Sequence, residues 1–150
     1  MRLTVITPLA IIVEAGDVVH LRAEDETGAF GILSGHADFL TALAVSVVSW
    51  RDGHGVEHHV AVRGGILEVC GGKTIAVATP EGVAGDDLHQ LETGVLVRFR
   101  HQLEEEQAAR ADAQRLYLAA IRQIYRLLRP SRSPLRPSVG ISRQTGEIEQ

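Results

Sequence analysis

Throughout the first 80 residues no apolar run travels far before a glycine, proline or aspartate interrupts it, and that punctuation limits what the chain can become. Residues 2–6 form a β-branched run stopped by Thr7-Pro8; residues 9–14 form a second, closed by Ala15-Gly16-Asp17, and residues 18–23 a third. Each is too short for a typical helix and is bounded by turn formers, so each reads as a strand. Residues 44–50 make another, ending at Asp52-Gly53-His54-Gly55, where glycine accepts the positive φ of a hairpin turn. Residues 56–63 return, with Val60 and Val62 on one face and His59, Ala61 and Arg63 on the other, until Gly64-Gly65 breaks the run. Residues 66–70 and 74–78 then pair across Gly71-Gly72-Lys73. Eight or more short strands at regular spacing predict a sandwich or flattened barrel, not a βαβ fold.

The stretch from Glu24 to Leu43, EDETGAFGILSGHADFLTAL, stands apart. Three glycines within eight residues, Gly28, Gly31 and Gly35, let the backbone turn where other residues would be strained. Phe30 and Ile32 between them are too apolar to leave in water. The stretch reads as a strand flanked by two shaped loops, which is how a stiff β scaffold presents a docking surface. No acid, base or nucleophile in it has a partner at catalytic spacing, so it is a place to bind rather than to react.

After Thr79-Pro80 the pattern changes, and beyond Gly82 the apolar period moves from two to about 3.6. Gly85-Asp86-Asp87 is a helix start, with acids where the helix dipole favours negative charge. Leu88, Leu91, Val95, Phe99 and Leu103 form one apolar stripe. A turn is expected within residues 104–112, with Asp112 as a cap. Leu116, Tyr117, Ala120, Ile121, Ile124 and Leu128 then give a second helix a broad apolar face. Two such helices would pack as an antiparallel hairpin or on a partner. The expected organisation is therefore a β-sandwich domain over residues 1–83, a helical hairpin over 84–129, and a disordered Pro, Ser and Arg-rich tail over 130–150.

Charge divides along the same line. Up to Ala108 there are seven Lys or Arg against sixteen Asp or Glu; from Ala109 to Arg143 there are eight arginines against Asp112 alone. An acidic body with a basic end is drawn towards acidic surfaces. Arg115, Arg122, Arg126 and Arg129 line one side of the second helix, either as a solvated face or as a latch for an acidic partner. The single cysteine, Cys70, excludes an internal disulfide and reads as a small buried residue on a strand. No window reaches the roughly 18 apolar residues that span a bilayer, and the start lacks a secretory pattern. Any membrane contact would run through a partner.

Three signals of chemistry are weak. Gly72-Lys73-Thr74 resembles the end of a phosphate-binding loop, but Leu67 stands where that loop needs glycine and a strand follows instead of a helix. His54, His58 and His59 suggest a metal site, yet adjacent strand residues point to opposite faces, and solvated histidines beside a turn are the simpler account. His20 and His36 join no nucleophile or paired carboxylate. Nucleic-acid binding by the arginines lacks stacking platforms at 4% aromatic content.

The residues Thr27-Gly28-Ala29-Phe30-Gly31-Ile32-Leu33-Ser34-Gly35-His36-Ala37, then Phe39-Leu40-Thr41-Ala42-Leu43, then Arg63-Gly64-Gly65-Ile66-Leu67-Glu68-Val69 carry a resemblance to the ε subunit of rotary F-type ATP synthases. That family shows a Gly-x-x-Gly-Ile-x-x-Gly-His run, a Leu-Leu-Thr segment soon after, and a later Gly-Gly-x-Leu strand. Trp50, Ser34 where proline is usual, and the arginine-rich end resemble the variant from a second, sodium-translocating operon. The resemblance implies a β-sandwich of about ten strands followed by a two-helix hairpin, in a non-catalytic rotor subunit without cofactor, metal or bound nucleotide. It implies that Thr27, Gly28, Ala29 and Phe30 face the membrane c-ring, and that Gly35, His36, Ala37, Phe39, Leu40 and Thr41 lie against the γ subunit. It implies that Arg122, Arg126 and Arg129 meet acidic residues of the catalytic α and β subunits and restrain ATP hydrolysis. The subunit would sit peripherally, through the complex, on the cytoplasmic face of a bacterial membrane.

One departure matters. ATP-binding members open the first helix with an apolar residue, Asp, two variable residues, Arg and Ala; here those positions are Leu88, His89, Gln90, Leu91, Glu92 and Thr93. The arginine has become an acid, which repels phosphate. Two rival readings remain on the residues alone: a free-standing β-sandwich adaptor whose basic helices bind nucleic acid or an acidic protein, and a metal-dependent hydrolase using His54, His58 and His59.

Overall fold

A computed structural model describes residues 1–128, and in it eight strands precede one helix. The strands are β1 (Arg2–Ile6), β2 (Ile11–Ala15), β3 (His20–Asp25), β4 (Gly28–Leu33), β5 (Phe39–Arg51), β6 (Glu57–Cys70), β7 (Thr74–Ala78) and β8 (Gly82–Gly85). They pair in the order β2-β1-β7-β6-β5-β3-β4, with β8 added to β6. Leu3, Val13, Leu21, Ile32, Val48, Val62, Leu67 and Val77, drawn from seven strands, share one buried cluster. The sheet therefore folds around a single apolar core, the β-sandwich expected.

There are eight strands where the family resemblance implied about ten, and the expected runs 56–63 and 66–70 are one strand, β6. β5 and β6 are 13 and 14 residues long and stay in register from Phe39↔Val69 to Arg51↔Glu57. Gly64 and Gly65 do not break β6; they bend it at φ +72° and +125°. A Cβ on Gly65 would stand 2.1 Å from the Ala78 carbonyl oxygen, so only glycine fits. The residues facing the core change parity across this bend: Leu67 and Val69 lie inward on one side and Val60 and Val62 on the other. The hairpin at Asp52–Val56 is as expected, with Gly55 at φ +86°. The sequence reading missed β8, since its four residues, Gly-Val-Ala-Gly, have no β-branched run.

Where β8 pairs with it, from His59 to Val62, β6 is buried on both faces. Ala61 packs with Leu91, Leu96 and Phe99 in a second cluster that seats the start of the helix on the sheet. The helix opens with α1 (Leu88–Gln90), capped by the Asp87 carboxylate on the amides of His89 and Gln90. It passes through a π-helical turn, Leu91–Val95, into α2 (Leu96–Leu128). That wide turn moves the stripe by one residue, so Leu96 is buried where a 3.6 period placed Val95.

The helical hairpin is a further correction. No turn interrupts residues 104–112, and α2 runs without a break from Leu96 to Leu128. Between Gly94 and Pro130 there is neither glycine nor proline, and the segment is rich in Ala, Glu, Gln, Arg and Leu, all strong helix formers. Met1–Ala111 forms one compact unit, and the described residues from Asp112 belong to a second. Among the described residues no helix is long and apolar enough to cross a membrane. Arg129 and the expected tail over 130–150 lie outside the described residues.

Candidate functional site

The β3–β4 hairpin is closed by Asp25. Its carboxylate accepts the Thr27 amide at 2.8 Å, the Thr27 hydroxyl at 2.6 Å and, from β5, the Thr41 hydroxyl at 2.9 Å. The two threonine hydroxyls and the Thr27 amide hold the Asp25 carboxyl below the usual range, because each stabilises the anion. Thr27, Gly28, Ala29 and Phe30 thus occupy the hairpin tip and the start of β4, which among the described residues pairs only with β3.

The next loop, Ser34 to Asp38, is shaped by Gly35 at φ +83°. It rests on the β6–β7 turn: the Gly35 amide donates to the Gly72 carbonyl at 2.9 Å, and the Gly71 amide donates to Asp38 Oδ1 at 2.6 Å. The approach is so close that a Cβ on Gly72 would lie 2.7 Å from Gly35 Cα. From this loop His36 lies edge-on to Phe39 with ring centres 5.8 Å apart, and Phe39 lies edge-on to Phe30 at 5.5 Å. Leu33 and Leu40 project outward beside them.

The two residue sets expected to meet different partners are therefore joined in one ridge. Thr41 ties to Asp25, Phe39 ties to Phe30, and the Gly35 loop is propped from behind by Gly71-Gly72. The prop was missed by sequence reading, which took Gly71-Gly72-Lys73 only as a hairpin turn; the second of two consecutive glycines was the available signal.

A second constellation seats the helix. Arg63, whose side chain is 17% exposed, pairs with Glu106 of α2 and stands 3.7 Å from Glu81, which Arg98 of α2 approaches at 3.4 Å. Sequence reading gave Arg63 a face of its strand and a place in the family motif, but no ion-pair partner. Beyond it, Arg22, Glu24, Glu92 and Arg100 stand around a cleft of about 400 Å³ with Ser46, Val47 and Ser49 in its lining. This is where the helix-start positions with the altered nucleotide pattern fall.

Two expectations about polar side chains need correction. His59 is buried, not solvated, and its Nδ1 lies 2.8 Å from the Ser49 hydroxyl on the paired strand. His58 is half-buried, stacked on Trp50 with its Nε2 3.2 Å from the Asp52 carboxylate, which leaves only His54 exposed at the turn. Among the described residues no three His, Cys, Asp or Glu side chains converge to hold a metal ion. Cys70 is exposed, on the outward side of the β6 end, and a hydrogen bond with Glu68 raises its thiol pKa. In the second unit, Arg122 and Arg126 are exposed on α2 together with Leu116, Tyr117, Ile124, Tyr125 and Leu128.

These features describe a β-sandwich with a looped, aromatic ridge, followed by an amphipathic basic helix. Residues 1–83 match the family described as ATP synthase, delta/epsilon chain, beta-sandwich domain. The chain belongs to this ATP synthase delta/epsilon family. It is 42% identical over 132 residues to the ATP synthase epsilon chain 2 of Paraburkholderia xenovorans, covering 88% of this chain and 95% of that one. It is 39% identical over 128 residues to the epsilon chain 2 of Cereibacter sphaeroides, covering 85% and 88%. A chain of the Euglena gracilis mitochondrial ATP synthase shares the fold with a TM-score of 0.54 and 23% identity, over 71% of this chain and 62% of that one.

Proposed function

We infer that this chain is the rotor epsilon subunit of an F-type ATP synthase, a central-stalk component that couples ATP synthesis and hydrolysis to ion translocation. The observation that carries this is the span of the likeness: 42% identity covers 88% of the chain, too much for the sandwich alone to account for. Torque transmission asks for a body that does not deform, and the long β5–β6 pair, in register from Phe39↔Val69 to Arg51↔Glu57, supplies one. The subunit performs no bond chemistry of its own. It is held by its partners at the cytoplasmic face of a bacterial membrane.

Within that role, Thr27, Gly28, Ala29 and Phe30 at the hairpin tip meet the c-ring, and Gly35 to Thr41 lie against γ. The support is geometric: Thr27 and Ala29 are exposed at the hairpin tip, and the Gly35 loop is braced against the β6–β7 turn. Arg122 and Arg126, with Arg129 beyond the described residues, contact acidic residues of the α and β subunits and restrain hydrolysis. Their support is the exposure of both arginines beside an exposed apolar face.

Two assays test this. A complex rebuilt without the chain should hydrolyse ATP without pumping ions, and adding the chain should restore pumping; unchanged coupling would remove the rotor role. Replacing Arg122, Arg126 and Arg129 with Ala should raise the ATPase rate of the assembled complex severalfold and leave assembly intact. An unchanged rate returns those arginines to solvent.

A further inference from the structure

The sheet face that seats the helix also holds a polar hollow that the rotor role does not use. Strand register sets Arg22 of β3, Ser49 of β5 and His59 of β6 in one row, and His20, Arg51 and Glu57 in the next. Residues two apart on a strand share a face, so the two rows make one patch. All six line a hollow of about 210 Å³, to which Leu88, the first residue of α1, adds an apolar wall. Glycine makes room at the sheet edge: a Cβ on Gly31 of β4 would stand 3.1 Å from His20 Nε2.

The lining is rich in donors. His59 is only 8% exposed, with Nδ1 2.8 Å from the Ser49 hydroxyl and no hydrogen bond at Nε2 among the described residues. The pair keeps a spare donor in either tautomer: Nε2–H where the hydroxyl donates to Nδ1, and the hydroxyl itself where Nδ1–H donates to it. Arg22 makes no ion pair among the described residues, whereas Arg51 is engaged by Glu57. Arg51 first, and then His59 and His20, hold the Glu57 carboxyl below its usual range, as a positive field does. A cation is repelled by such a lining, and an apolar occupant would strand the Ser49–His59 donor. An unpaired guanidinium beside a buried donor pair matches an oxyanion, whose charge strengthens each bond it accepts.

We propose that this hollow binds a small tetrahedral oxyanion, inorganic phosphate, between Arg22 and the Ser49–His59 pair. The adjoining cleft of about 400 Å³ limits the size of the ligand. Arg22 lines both spaces, but Glu24 and Glu92 line the cleft, so the further phosphates of a nucleotide extending that way meet carboxylates. Because Leu88 walls the hollow, phosphate bound there also steadies the start of the helix on the sheet. The inference goes beyond the rotor reading and does not depend on it.

The test is calorimetric titration of the full chain with inorganic phosphate at constant ionic strength, with thermal unfolding followed in parallel, for the unmodified chain and for Arg22→Gln, Ser49→Ala and Arg100→Gln. Arg22 and Arg100 are both exposed, so neither change should disturb folding; Arg100 lines the cleft and not the hollow, and so controls for the loss of one positive charge. The expected result is one saturable site and an unfolding midpoint that rises with phosphate. Affinity should fall about tenfold or more in Arg22→Gln, about threefold in Ser49→Ala, and stay unchanged in Arg100→Gln. Absence of saturable binding to the unmodified chain overturns the proposal, as does unchanged affinity in Arg22→Gln. Equal losses in Arg22→Gln and Arg100→Gln assign the phosphate to the adjoining cleft and also overturn it. ATP binding as tightly as phosphate overturns it too, because the hollow then takes the terminal phosphate of a nucleotide.

Discussion

Replacing Gly72 with Ala tests whether the partner-facing loop is held from behind. Gly72 sits at φ +64°, where an L-residue is disfavoured by about 1–2 kcal/mol. Its new Cβ would lie 2.7 Å from Gly35 Cα, 2.9 Å from Gly35 C and 3.1 Å from Gly35 N, all backbone atoms that cannot rotate aside. The loop must lift, and the 2.9 Å bond from the Gly35 amide goes with it, a loss of about 1 kcal/mol. Gly71→Ala is the matched control: its φ is +58° and its Cβ would meet nothing within 4 Å. We expect Gly72→Ala to lower stability by about 3 kcal/mol and Gly71→Ala by about 1 kcal/mol, read as shifts in urea midpoint at unchanged slope. The affinity for γ should fall more in the first variant than its stability alone explains. Equal destabilisation by the two substitutions would refute the bracing of the Gly35 loop.

Arg63→Ala should loosen the seat of the helix, because it removes the partner of Glu106 and leaves Glu81 with Arg98 alone. The cost should be about 1–2 kcal/mol, since both acids remain partly hydrated, with faster amide exchange in residues 96–106 and unchanged exchange in β1 and β7. The carboxyls of Asp25, bound by Thr27 and Thr41, and Asp52, bound by the Val56 amide and His58, are both depressed in the fold. A depressed carboxyl adds stability above the unfolded value near 4, and that stability is lost as pH falls through the folded value. Urea midpoints should therefore drop below about pH 4, and the drop should be shallower in Asp25→Asn and Asp52→Asn; an identical profile would contradict the assignment. The isolated chain should show no tight ATP binding by calorimetry, because Glu24 and Glu92 face the cleft beside Arg22 and Arg100. A micromolar dissociation constant would refute this.

The sandwich was legible because its turns are written in residues that act locally: Gly55, Gly71 and Gly72 adopt the positive φ their turns require. The errors fall where a distant contact decides. Gly64-Gly65 reads as a break, but the Ala78 carbonyl pressed against Gly65 makes it a bend inside one strand. β8 has no strand pattern of its own and exists because β6 offers an edge along His59 to Val62. His59 looks solvated beside a turn, yet Ser49 across the pair and β8 alongside it bury the ring. The expected hairpin turn came from reading two separate apolar stripes with Asp112 as a cap, and the family likeness implied the same, against a local composition that favours unbroken helix. The ridge residues were all named from sequence, while the bracing that joins them was not, because it depends on the spacing of two loops that lie far apart in the chain.

The most direct test of the central claim is to tag the chain, extract membranes in mild detergent and identify what co-purifies by mass spectrometry. Recovery of γ and c-ring subunits together with α and β is the predicted result and places the chain in the rotor. Recovery of the chain alone, or with nucleic acid, would mean that the fold has been kept and the rotor role lost.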